Sequence, residues 1–417
     1  MAEEVLDANR DAGNFSDIVN PEITPFATNQ NTHLNFATEE FLITSDDTAV
    51  WGGSQIYTIP EKGQNSLLTN LKLQFVLPAL SAPSDATWIN WVNSIGHALI
   101  NTVKIETNAN VLDEHTGEFM EIWNELSVLP GDPYNSSIGK YRGGPPRNST
   151  SIDARTITVQ LLFWFCKGTT GKDNIDSTKL AFPLGFLTGD SLKLTLKIHN
   201  GNKLIYTDGT VSAPETNPIC KLIAEYAFLD LTTENDLTTQ SLIFYTNYRQ
   251  QMTYIQRISF TGTAVADTYR SVPISVDAFE SSLTELIWYV QETRSAGSKR
   301  QKRFKFNYHG GNMLSECSVT LSNYSLSGIL PANNFTTVNP QAVGHLVPRK
   351  KIHIYPFALQ PTIFSNPSGS FNISNKTGVK LKIKFSSFAG SYEGELYALG
   401  RRILSIQNGI CRVQDIA

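Results

Sequence analysis

Charge is scarce in this sequence. Only 17% of its 417 residues are Asp, Glu, Lys or Arg, against about 25% in an average globular chain. With 41% hydrophobic and 10% aromatic residues, such a chain is not disordered along most of its length. It suits large buried areas, subunit contacts included. The formal net charge of −4 provides no general pull toward nucleic acid or acidic membranes, so any polyanion contact would have to be local. Cysteine is sparse too. Cys166, Cys220, Cys317 and Cys411 lie far apart and form neither a CxxC pair nor a zinc spacing. Reduced, structural thiols and an intracellular folding compartment are expected. No run approaches the roughly 18 apolar residues of a membrane helix. The opening MAEEVLDANRDAGNF has neither the basic nor the apolar region of a secretory signal. The expectation is a soluble chain that is not exported by that route.

Catalytic patterns are missing as well. The histidines, His33, His97, His115, His199, His309, His345 and His353, include no HxH and no HExxH, so the ligand arithmetic of a metal site fails. There is no Gly-x-Ser-x-Gly elbow, and Gly171-Lys172-Asp173 lacks the hydroxyl that a phosphate loop uses to hold magnesium. Glu118 and Glu121 fall on a helical stretch, where a solvated face is the expectation. No catalytic, cofactor-binding or metal-binding residue is assigned, and the chain is not expected to be an enzyme. The one charge run, RSAGSKRQKR from Arg294 to Arg303, reads first as a solvated hairpin loop. An inward loop near packaged nucleic acid and a nuclear-import-like address are the sharper alternatives. No aromatic is interleaved, so base stacking is not suggested and no specific nucleic-acid site is expected. Glycosylation sequons at Asn14, Asn135, Asn148, Asn323, Asn334, Asn372 and Asn375 are expected to be chance matches in a chain rich in Asn, Ser and Thr.

What the chain does have is short strands. Leu71, Leu73 and Phe75 alternate with Lys72 and Gln74, and Val103 and Ile105 with Lys104 and Glu106, each a half-buried strand signature. Residues 156–165, TITVQLLFWF, read as a strand buried on both faces. Phe119, Ile122, Trp123 and Leu126 make the clearest helical stripe, over 116–126, with Thr116 as N-cap. Long polar loops are expected at 131–151, 200–218 and 327–348. The second half repeats the grammar, with strands at 241–261, 268–276, 283–291, 303–308, 319–326 and 379–385, and a strand region over 396–413. One echo suggests duplication. Phe182-Pro183-Leu184 leads through a Gly turn to LKLTLKI at 192–198, and Phe357-Ala358-Leu359 leads through a Pro-Gly turn to VKLKIKF at 379–385. Many short strands, long loops and little helix argue for an all-β fold of two consecutive jelly-roll β-sandwiches, with a short helix in the first domain's connecting loops. The expected division is an N-terminal arm over 1–30, a first jelly roll over 31–234 and a second over 235–417, with 231–240 as the joint.

The stretch 351–374, KIHIYPFALQPTIFSNPSGSFNIS, is strand, Pro-limited connection and strand. It resembles a signature near the end of the major capsid proteins of large eukaryotic nucleocytoplasmic DNA viruses. Other pieces are similar to the same family in order: Gly96-His97-Ala98-Leu99-Ile100, then Leu112-Asp113-Glu114-His115-Thr116-Gly117-Glu118, then Leu161-Leu162-Phe163-Trp164-Phe165 with Phe182-Pro183-Leu184, then Ala224-Glu225-Tyr226-Ala227-Phe228-Leu229-Asp230, and Leu286-Ile287-Trp288-Tyr289-Val290-Gln291. The resemblance spans about 96–375; a smaller relative such as a virophage protein fits it too. It implies a double jelly-roll subunit of the virion capsid, assembled inside the host cell. Three copies would form a pseudo-hexagonal capsomer tiling an icosahedral shell. Its partners would be two further copies, neighbouring capsomers, minor capsid and penton proteins and, in relatives that enclose one, an internal membrane. The rival reading is a glycan-binding β-sandwich, a lectin or a spike or minor capsid component, which predicts exposed aromatic platforms on loops.

Overall fold

The computed structural model describes residues 36–45, 47–63, 66–108, 110–166, 181–229, 247–273, 282–293, 313–321, 324–362, 368–373 and 379–415, with 279 and 304. The 1–30 arm, Gly171-Lys172-Asp173, the 231–240 joint, the 294–303 basic run, most of the 303–308 strand and the sequons at Asn14, Asn323 and Asn375 lie outside them.

Eight strands form the first sandwich: β1 (Phe36–Ile43), β2 (Ser54–Ile59), β3 (Ser66–Leu77), β4 (Ile100–Glu106), β5 (Val111–Thr116), β6 (Arg155–Gln160), β7 (Leu192–Ile198) and β8 (Ile219–Leu229). They pair antiparallel in two four-stranded sheets, β1-β8-β3-β6 and β2-β7-β4-β5. The period-2 alternation sets which side chains meet between the sheets. In β7, Leu192, Leu194, Leu196 and Ile198 point inward and Lys193 and Lys197 outward, and Leu194 sits opposite both Tyr57 of β2 and Ile105 of β4.

The second sandwich uses β9 (Asn247–Ala264), β10 (Tyr269–Pro273), β11 (Ser282–Glu292), β12 (Leu314–Leu321), β13 (Tyr324–Ser325), β14 (His353–Pro356), β15 (Val379–Phe385) and β16 (Gly390–Gln407). Their order is β9-β16-β11-β14 in one sheet and β10-β15-β12-β13 in the other. Counted along each half, both sandwiches read 1-8-3-6 and 2-7-4-5. This repeated order is that of the jelly roll. The two lysine-striped strands of the sequence echo, β7 and β15, are the seventh strand of their respective sandwiches. A further strand, β17 (Ile410–Asp415), pairs with β16 through Asn408-Gly409, both at positive φ, which is the favoured two-residue hairpin turn.

Three expectations are corrected. The strand over 156–165 stops at Gln160, where its pairing with β3 ends. Residues 161–166 instead turn on themselves, with the Cys166 N–H donating to the Phe163 carbonyl at 2.8 Å. Their rings plug the interior: Phe163 stacks on Phe165, and Trp164 meets Phe182 edge-on at 5.8 Å. An unbroken apolar run suits a two-faced buried strand or a buried knot equally, and here the knot forms. Second, the 200–218 loop is not polar throughout. Ile205–Thr207 is buried and pairs with Ile89–Trp91, with exposed residues at Asn200, Asn202 and Lys203 before it and from Thr210 after it. Third, the 131–151 loop carries a helical turn, Pro133–Ser137, capped by Asp132. All four thiols are free and buried.

Candidate functional site

The chemistry-bearing side chains of the described residues gather where the two sandwiches meet, around one helix. The short α1 (Ile95–Leu99) precedes β4, and α2 (Gly117–Ser127) follows β5. Thr116 caps α2: its backbone is extended and its hydroxyl accepts from the Phe119 N–H at 3.2 Å. The next residue has to be glycine. A Cβ on Gly117 would lie 2.1 Å from the His97 carbonyl oxygen and 2.5 Å from that of Ile100, so α1 approaches α2 as closely as backbone permits.

Residues on most sides of α2 are buried. Phe119 packs against Tyr397 of β16 and Trp123 against the ring of His345, so one helix of the first half is inserted against the second. The Thr116 and Tyr397 hydroxyls are 2.9 Å apart, and Tyr397 in turn donates to Glu395. Burial and the neighbouring Glu118 carboxylate push Glu395 up from the ordinary carboxylate range. The Leu346 N–H donates to the Leu126 carbonyl at 2.7 Å, and the Arg349 N–H to Glu125 at 3.2 Å.

Glu121 is the centre of this junction. The expectation of a solvated carboxylate is wrong: its side chain is 0% exposed. Its carboxylate takes Lys350 Nζ at 2.5 Å, Lys140 Nζ at 3.1 Å and His97 Nδ1 at 2.9 Å. Burial alone would raise its pKa. The Lys350 and Lys140 ammoniums and the His97 hydrogen bond outweigh burial and hold it well below the usual range. Lys140 also reaches Glu125 at 2.7 Å, so two lysines and two glutamates neutralise one another across the two halves. His97 is fully buried and burial pushes its pKa down, against the opposing pull of Glu121.

Two further histidine–carboxylate pairs flank the helix. His115 Nε2 meets Asp113 Oδ2 at 2.9 Å, and the other oxygen of Asp113 accepts from the Ile255 N–H of β9 at 3.3 Å. His345 Nε2 meets Glu285 Oε2 of β11 at 3.0 Å. His353 is on the edge strand β14, yet its side chain is buried and stacked on Trp288 at 5.5 Å. A second joint lies at the tip of the β16–β17 hairpin. There the Gly189 N–H donates to the Gly409 carbonyl at 3.2 Å, and Asn110 Nδ2 to the Cys411 carbonyl at 3.1 Å.

What this arrangement does is hold. Its carboxylates Asp113, Glu121, Glu125 and Glu285 each meet a lysine or histidine partner. Among the described residues no three His, Cys, Asp or Glu side chains gather as a metal site. Sequence reading missed Lys140, Lys350, His345 and Glu285, because their partners lie far along the chain. It did single out the segments that carry His97, Asp113, His115, Thr116 and Trp288.

Two jelly rolls of identical strand order, wedged together by a buried helix, make up a double jelly-roll subunit, a class that builds shells. The chain belongs to the family of large eukaryotic DNA virus major capsid proteins. Residues 24–230 match the family's description "Major capsid protein N-terminus", and 243–409 match "Large eukaryotic DNA virus major capsid protein". It is 23% identical over 411 residues to the major capsid protein of Pyramimonas orientalis virus, covering 94% of this chain and 93% of that one. To the major capsid protein of Phaeocystis pouchetii virus it is 25% identical over 308 residues, covering 65% of this chain and 55% of the relative. Among solved structures, the PBCV-1 virus capsid subunit superposes with a TM-score of 0.74 at 17% identity, covering 94% of this chain and 100% of that one. The Faustovirus major capsid protein superposes with a TM-score of 0.72 at 12% identity, covering 98% and 99%. These likenesses are of fold. The protein is a structural component of the virion capsid.

Proposed function

We propose that three copies of this chain close into a pseudo-hexagonal capsomer, and that these capsomers tile an icosahedral shell. The observation that carries the reading is the repeated strand order: one chain supplies two equivalent sandwiches, so three chains supply six. The first sandwich is assigned to 31–234 and the second to 235–417. Trimer contacts of an obligate kind would bury more than roughly 2,000 Å², which the low charge of the chain favours. The role is structural, with no catalytic step. Neighbouring capsomers, minor capsid and penton proteins, and an enclosed membrane are the partners in this reading.

The expected contact loops need narrowing. Within 327–348, His345 and Leu346 belong to the junction. Exposed loop surface remains at 142–150 and 210–217, and these stretches are assigned to contacts between subunits. The lectin alternative is disfavoured by the aromatic side chains. Among the described residues the exposed large aromatics are Phe36 and Tyr269, both in strands rather than on loops. Light scattering on the purified chain tests the reading. A solution mass three times that of one chain is expected, and deletion of 210–217 should weaken shell assembly. A clean monomer at micromolar concentration, or shells unaltered by the deletion, contradicts it.

A further inference from the structure

The junction opens outward into a cleft of about 350 Å³, at the small end of ligand sites. One wall comes from the first sandwich and carries Lys140 and Arg142; the other comes from the second and carries Arg349 and Lys350. The charges do not balance. Lys140 and Lys350 are taken up by Glu121 and Glu125. The guanidiniums of Arg142 and Arg349 have no hydrogen-bond or ion-pair partner among the described residues. A buried donor adds to them: Asn124, which lines the same cleft, is 3% exposed, and its Nδ2 has no partner although its oxygen accepts from Lys140. A buried unpaired donor is unfavourable by about 1–3 kcal/mol, and here it adjoins two uncompensated positive charges. Val128, Pro130, Leu346 and Val347 add apolar lining, and Asn93, Asn135 and Tyr141 add polar side chains.

We propose that this cleft binds a doubly charged oxyanion of the phosphate class, bridging Arg142 of the first sandwich and Arg349 of the second. Guanidinium forks match phosphate oxygens in pairs. Because the arginines belong to different sandwiches, the anion acts as a removable cross-link of the junction. The shared chemistry is the phosphate dianion, either free or as a monoester with an organic tail on the apolar lining. The inference stands on the cleft alone and survives if the trimer reading fails.

The test is isothermal titration of the full chain with inorganic phosphate and, separately, with glycerol 3-phosphate, at ionic strength held constant with sodium chloride. A saturable heat with one anion per chain is expected for at least one of the two. Arg142→Gln and Arg349→Gln should each weaken it by about tenfold or more, and the double variant should abolish it. Both side chains are exposed, so these variants should melt as the parent does in chloride. In phosphate the parent alone should gain thermal stability beyond the general salting effect. Tighter binding of glycerol 3-phosphate assigns the occupant to a monoester, and equal or weaker binding to the free anion. No saturable heat with either probe, or a heat unchanged in the double variant, overturns the proposal.

Discussion

Glu121 and Lys350 lie 229 positions apart in the chain, yet their charged atoms are 2.5 Å apart with the carboxylate wholly out of water. Burying that carboxylate is favourable only because two ammoniums and an imidazole surround it. Glu121→Ala removes the group that both lysines share. Partial exposure lets the lysines relax toward water, so the loss should be about 3 kcal/mol, the low end for a broken buried pair. Urea unfolding midpoints measure it, and a loss below about 1 kcal/mol would show the cluster to be incidental.

His353 provides a pH signature. Burial pushes its pKa from 6.5 down to about 3, so the unfolded chain binds this proton more readily than the folded one. The associated stability is fully present above pH 6.5 and falls as pH drops from 6.5 toward 3, by about 1.4 kcal/mol per unit. His97 acts in the same direction. Between pH 6 and pH 5 the stability of His353→Gln should therefore fall less steeply than that of the parent, by about one proton's slope. Equal slopes would mean that His353 is not buried as a neutral ring.

At the scale of elements, α2 decides how the halves meet. Gly117→Ala places a methyl group against the His97 and Ile100 carbonyl oxygens, which cannot retreat without moving α1 and the start of β4. A loss of at least about 2 kcal/mol is expected from such overpacking, read as a lowered melting temperature. Thr116→Ala removes both the cap and the hydroxyl contact to Tyr397 and should destabilise by about 1–2 kcal/mol. Thr116→Ser should recover most of that, because it keeps the oxygen, and failure of the serine to recover would assign the effect to the lost methyl group.

The same helix shows what was legible in the sequence. Its span, its cap and its apolar stripe are local properties, and 3.6-residue periodicity reports them directly. Strands β7 and β15 were equally plain, because lysines on one face and aliphatics on the other set their orientation. Glu121 was misread because periodicity separates faces but cannot show that a lysine from the other half covers one of them. The strand ending at Gln160 was overextended for a related reason. Leu161, Leu162, Phe163, Trp164 and Phe165 are apolar enough for a strand interior, but after a last bond from the Leu161 N–H to the Leu71 carbonyl the chain turns away from β3, which itself runs on to Ser66. The junction cluster could not be assembled from spacing, although the family resemblance pointed to several of the segments that build it.

At the scale of the whole molecule, the two sandwiches share more than a fold. The α2 wedge, the Asp113–Ile255 bond and the β16–β17 hairpin tip tie them at separate places. A chain held this way presents two equivalent blocks at a fixed angle, which is what ring closure by identical copies demands. The direct test is single-particle electron microscopy of the purified chain at assembly concentration. Class averages with a six-sided outline and three-fold symmetry, six sandwich densities around the axis, are the predicted result. Particles containing only one pair of sandwiches, or rings with any other number of pairs, would contradict the account.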